Sequence, residues 1–107
     1  MGTANWHIVK PAKVRGGGSD SVQGEYVDGG DHTTTTTASN LTNGAAGLGS
    51  DVTAVKGDRL VILADEAMRV RFGGTAATAT AGLFVPASAV TFFEVSASGT
   101  VSIIDVA

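Results

Sequence analysis

Along residues 68–72 the apolar side chains Met68, Val70 and Phe72 alternate with Arg69 and Arg71. This is the two-residue period of a strand with one buried and one wet face. Just before it, Arg59-Leu-Val-Ile-Leu-Ala64 is an unbroken apolar run bounded by Gly57-Asp58 and Asp65-Glu66, which predicts a central strand covered on both faces. Further strands are predicted at 52–56, 82–86, 91–96 and 100–106. Pro86 brings no N–H to a ladder and fits a strand end. The turn Ala97-Ser98-Gly99 joins the last two strands as a hairpin. Residues 75–81 are Thr and Ala only, suited to a loop or a narrow edge strand. No segment of helical period with caps reaches three turns, and the Thr and Gly in the Ala-rich stretches disfavour helix.

Before residue 52 the pattern changes. Gly16-Gly-Gly-Ser19, Asp28-Gly-Gly-Asp31, the threonines at 33–37 and Asn43-Gly-Ala-Ala-Gly-Leu-Gly49 leave little room for large apolar groups, and candidate strands remain only at 6–9, 25–27 and 33–37. A segment of this kind buries too little surface to offset its own ordering entropy. Residues 1–51 are therefore expected to be an extended, Gly/Thr-rich N-terminal arm or long loops. Residues 52–107 are expected to form an all-β domain, a small antiparallel β-sandwich or barrel.

Composition narrows the function classes. In 107 residues there are four Phe, one Tyr and one Trp, so the core has to be thin, and association between copies is a common remedy at this size. Only 16% of residues are charged and the net charge is −3, which is no footprint for a nucleic-acid backbone. The absence of cysteine removes disulfides, thiol catalysis and thiolate-bound metals together. The first residues lack a basic segment followed by an apolar run, and no window is long enough to span a bilayer. Synthesis in a cytoplasm and no membrane partner are the expectation. Met1-Gly2 opens like an acylation signal, but Trp6 stands where that signal needs Ser or Thr.

Candidate chemistry is sparse. Asp28-Gly-Gly-Asp-His32 gathers two carboxylates and an imidazole, yet calcium loops space their ligands over about a dozen residues, and a solvated turn is the preferred reading. His7 and His32 have no nucleophile elbow to serve. Asp65 and Glu66 are adjacent and would point to opposite sides of a strand. Gly16-Gly-Gly-Ser19 lacks the Gly-Lys-Ser/Thr ending of a phosphate loop. Asn40-Leu-Thr42 fits the glycosylation triplet by chance, and the threonines at 33–37 read as extended polar backbone. No catalytic residue, cofactor or metal is assigned, and no enzyme is expected.

Partner contacts are the better prospect. Arg69 and Arg71 share one strand face about 7 Å apart and are placed to hold carboxylates of a neighbour. Trp6, with Ile8 and Val9 beside it, either docks back on the sandwich or anchors an adjacent subunit.

Met68-Arg-Val-Arg-Phe-Gly-Gly74, then an Ala/Thr spacer, Gly82-Leu-Phe-Val-Pro-Ala87, Phe92-Phe-Glu-Val95 and Gly99-Thr-Val-Ser-Ile-Ile104 together resemble the small β-rich virion proteins of tailed bacteriophages. The resemblance covers residues 59–107. It implies a non-enzymatic virion structural protein present in many copies, foremost a capsid decoration or cement protein assembled in the host cytoplasm. The implied partners are copies of itself and the major capsid protein or other virion proteins; the thin core, the small size and the arm favour burial between subunits, with a trimer expected. A tail, neck or fibre accessory protein is the alternative, and a receptor- or glycan-binding module at a fibre tip the rival class. A small enzyme comes third.

Overall fold

The computed structural model describes residues 2–10, 26–42 and 51–106. Within them the chain is all-β and has no helix. Ten strands follow one another: β1 (Gly2–Val9), β2 (Tyr26–Thr34), β3 (Ser39–Asn40), β4 (Thr53–Ala54), β5 (Arg59–Ala64), β6 (Met68–Arg71), β7 (Leu83–Val85), β8 (Val90–Glu94), β9 (Gly99–Thr100) and β10 (Ser102–Asp105). They form two four-stranded antiparallel sheets, ordered β2-β1-β5-β8 and β3-β10-β6-β7, with β4 and β9 as a short pair at one end.

The registers explain which faces are buried. In the first sheet Ala4 lies opposite Ala64, Trp6 opposite Ile62 and Ile8 opposite Leu60, so one face of β1 and β5 is apolar throughout. In the second, Val70 lies opposite Ile103, and Met68 opposite Val85. These two faces meet in a continuous core, closed at the β4–β9 end by Leu41, Val52, Ala54, Phe72, Val95 and Val101. It is a small β-sandwich, and the interdigitation of two inner faces is what holds such a fold. The alternation read in 68–72 is present: Met68 and Val70 point inward, while Arg69 and Arg71 lie on the outer face.

Several expectations require correction. The described part of 1–51 does not lie on the sandwich as an arm; β1 sits inside the first sheet, hydrogen-bonded to β2 on one side and β5 on the other. Trp6, Ile8 and Val9, expected as an anchor on a neighbour, are at most 1% exposed and belong to the core of their own chain. The reason is local: Ala4, Trp6 and Ile8 already have the strand period, which the Gly-rich average of the first half conceals. The arginine-led run 59–64 is central but covered on one face only, since Leu63 is 41% exposed. The expected hairpin of 91–96 with 100–106 does not form. β8 pairs with β5 and β10 with β6, so the link between them crosses from one sheet to the other. β10 is buried along its whole length, and a strand covered on both faces takes a central place, which β6 and β3 give it.

The crossing needs glycine. Gly99 has φ +140°, and a Cβ there would lie 3.0 Å from the backbone of both Gly73 and Gly74. Gly74 N–H donates to the Thr100 carbonyl at 3.1 Å across the same contact. Two backbones approach here more closely than side chains permit.

Candidate functional site

The outer face of the first sheet divides into two halves. Toward β2 it is polar: Thr33 opposite Thr3, Asp31 opposite Asn5, and Gly29 opposite His7. The Asn5 amide donates to the Asp31 carboxylate at 2.6 Å, fixing both. Toward β8 it is apolar: Val61 opposite Phe92 and Leu63 opposite Val90. Phe92 is 64% exposed and Val90 54%. Single exposed apolar residues are ordinary, but a contiguous group rimmed by polar ones marks an interaction surface. Glu94, opposite Arg59, closes the apolar strip at its lower end.

At the upper end a groove of about 400 Å³ is lined by Thr3, Asn5, Leu63, Ala64, Asp65 and Ser88. Asp65 bridges its wall by accepting the Thr3 N–H at 2.8 Å. Ser88 is the single non-glycine residue with positive φ among those described, at +62°, and its N–H donates to the Ala64 carbonyl at 2.7 Å. The turn is thereby held where the chain leaves β7 for β8.

The arginines separate in role. Arg69 is turned onto its own chain: its Nε donates to the Ala79 carbonyl at 3.0 Å and a terminal nitrogen to the Gly82 carbonyl at 3.1 Å. Its guanidinium also lies 5.5 Å from the centre of the Phe84 ring, within cation–π range. With Ala77 N–H donating to Ser102 Oγ at 3.0 Å, these bonds clamp residues 75–82 over the outer face of the second sheet. Arg71 stays exposed. The pair shares a face as expected, but only Arg71 is left for a partner.

Asp28-Gly-Gly-Asp-His32 is strand, not a turn. Alternation puts Asp31 on the outer face and Asp28 and His32 on the inner one, so the three do not converge. His32 Nε2 is 2.9 Å from Ser39 Oγ, and burial pushes its pKa below the usual imidazole value. Among the described residues no three His, Cys, Asp or Glu side chains gather as metal ligands. Thr34 of the threonine run is buried and its hydroxyl donates to the carboxylate of Asp105, also buried. In Asn40-Leu-Thr42 the Asn40 amide donates to Asp51 at 3.0 Å and Leu41 is core. The Gly16-Gly-Gly-Ser19 stretch lies outside the described residues.

Sequence reasoning missed the strip itself. Two adjacent phenylalanines in one strand must face opposite ways, and the sequence does not say whether Phe92 or Phe93 is the outer one. The signal that was there is Val90, Phe92 and Glu94 on one face, ending in a charge. Comparison with family models, with curated proteins and with solved structures gives no match to this chain.

Proposed function

We propose that the chain is a non-enzymatic structural subunit of a tailed-bacteriophage virion, seated on the outside of the head as a decoration or cement protein and acting through contacts between subunits. The observation that carries this reading is the half-apolar outer face of the first sheet, with Phe92 64% and Val90 54% exposed beside a polar half. An exposed apolar strip beside a polar half supports a role in contacts between subunits. The layout of residues 59–107, similar to small virion proteins, supplies the kind of particle. Its partners are then further copies of itself and the major capsid protein.

Quantitative mass spectrometry of purified particles tests the proposal. Many copies per particle, lost together with the intact head, are the expected result. A protein absent from particles sinks the reading; one found only at the tail or neck moves the site of action while keeping the structural role.

A glycan-binding role at a fibre tip is the second reading, and the groove favours it. It is lined by Thr3, Asn5, Asp65 and Ser88 beside Leu63 and Ala64, residue types of the kind that meet a sugar's hydroxyls and its C–H face. Binding on a glycan array that disappears in Asn5→Ala selects this reading over the first.

A further inference from the structure

We infer that two copies of this chain pair through β8, antiparallel and two-fold about Phe92, joining their first sheets into one continuous eight-stranded sheet. This deepens the structural reading above and rests on it only for the particle, not for the pairing.

The edges of the sheets differ in how they are guarded. β3 has two residues and β7 has three, with Pro86 directly after it. β2 carries Asp28 and Asp31, and its register shifts beside Ile8 and Val9. Short strands, charges, proline and bulges are the usual protections of an edge. β8, Val-Thr-Phe-Phe-Glu, has five residues in regular register with β5, without lysine, proline or a bulge.

Its backbone polarity fits a second copy. Val95 N–H donates to the Asp58 carbonyl at 2.7 Å, which fixes the phase of the ladder. By alternation, Phe93 and Thr91 direct their N–H and C=O toward β5, and Glu94, Phe92 and Val90 direct theirs to the side on which no strand lies among the described residues. A two-fold axis at Phe92 sets Phe92 opposite Phe92 and Val90 opposite Glu94 of the second copy. Up to about six main-chain hydrogen bonds then close the seam.

The side chains and charges agree with that register. The two Phe92 rings come side by side at about 5.5 Å between Cα atoms, a spacing for offset or edge-to-face contact. The two Glu94 carboxylates fall at opposite ends of the seam, about 13 Å apart by strand rise, beyond the screening length at physiological salt. Each already faces Arg59 of its own chain. The apolar halves of both outer faces meet in the middle, with the polar halves outside them, which is the pattern of an interface core and rim.

A five-residue edge buries less than the roughly 1,200 Å² from which stable complexes begin. The contact alone is therefore expected in the micromolar range or weaker, and is reinforced where many copies are held side by side on a particle. That is a concentration-dependent dimer, in place of the trimer expected from composition.

Sedimentation equilibrium of the full chain up to about millimolar concentration reads the assembly, alongside two variants. Wild type is expected to reach the dimer mass. Phe92→Lys places two like charges opposite each other and is expected to weaken dimerisation at least tenfold while keeping the far-ultraviolet dichroism of the fold. Phe92→Cys, the sole cysteine in its chain, is expected to give a disulfide-linked dimer under mild oxidation, since about 5.5 Å between Cα atoms suits the bond. A monomer throughout, a trimer unaffected by Phe92→Lys, or a Phe92→Cys variant that cross-links no faster than Asp31→Cys overturns the pairing. A dimer that never accompanies particles leaves the pairing intact and removes the virion reading. A monomer found on particles does the reverse.

Discussion

Replacing Trp6 separates a strand inside the sheet from a segment merely resting on it. Trp6 is 1% exposed and faces Ile62 across the β1–β5 ladder. A tryptophan buries about 150–250 Å², so at about 25 cal/mol per Å² its removal from water contributes about 4–6 kcal/mol. Truncation to alanine in a core costs about 3–5 kcal/mol once the cavity is included. A chain of 107 residues has about 5–15 kcal/mol of stability in all, so Trp6→Ala consumes a large share of it. Urea unfolding followed by far-ultraviolet dichroism is expected to show a midpoint lower by about 2 M, for a slope of about 2 kcal/mol per M. Trp6→Phe is the sharper control. The indole N–H is buried with no acceptor among the described residues, and an unpaired buried donor costs about 1–3 kcal/mol. Phenylalanine removes that cost along with part of the ring volume, so the net loss is expected to stay under about 1.5 kcal/mol. A Trp6→Ala loss below about 1 kcal/mol would refute the placement of β1 in the cooperative core.

Other consequences follow from single contacts. Gly99→Ala is expected to cost at least about 2 kcal/mol, from the positive φ and the 3.0 Å approach to the 73–74 backbone, read in the same urea titration; a neutral result contradicts the close crossing. Thr34→Val leaves the buried Asp105 carboxylate without its hydroxyl donor, for an expected loss of about 1–3 kcal/mol. Burial lowers the pKa of His32 in the folded state, so as pH falls the unfolded chain binds its proton first. Stability is expected to fall as pH drops below about 6.5, and His32→Gln removes that part of the slope; an unchanged slope in the variant excludes His32 as its source. Arg69→Met frees the Ala79 and Gly82 carbonyls, and faster proteolytic cleavage within 75–82 is the expected readout, with unchanged cleavage contradicting the clamp.

The strands themselves were largely legible because their periodicity is local. Met68, Val70 and Phe72 against Arg69 and Arg71 state one face outright, and the arginine-led run ends where β5 ends. Pairing was not legible, because partners are chosen by burial across the whole fold. Both 91–96 and 100–106 are apolar segments flanking a turn, and only the full burial of β10 sends it to β6 while β8 goes to β5. The first strand was hidden by averaging, since Trp6 and Ile8 sit in a half otherwise rich in Gly and Thr. The apolar strip was illegible for a related reason: which of Phe92 and Phe93 faces outward depends on the register with Val61 and Leu60, not on β8 alone.

Amide hydrogen exchange of the intact chain, resolved residue by residue at low and high protein concentration, tests the β8 contact most directly. Thr91 and Phe93, whose N–H groups face β5, are expected to be protected at both concentrations. Val90, Phe92 and Glu94 face away from β5, where no strand lies among the described residues, and are expected to exchange freely when dilute and to gain protection as concentration rises. Equal protection of all five amides at high dilution, or free exchange at 90, 92 and 94 when concentrated, contradicts assembly through this edge.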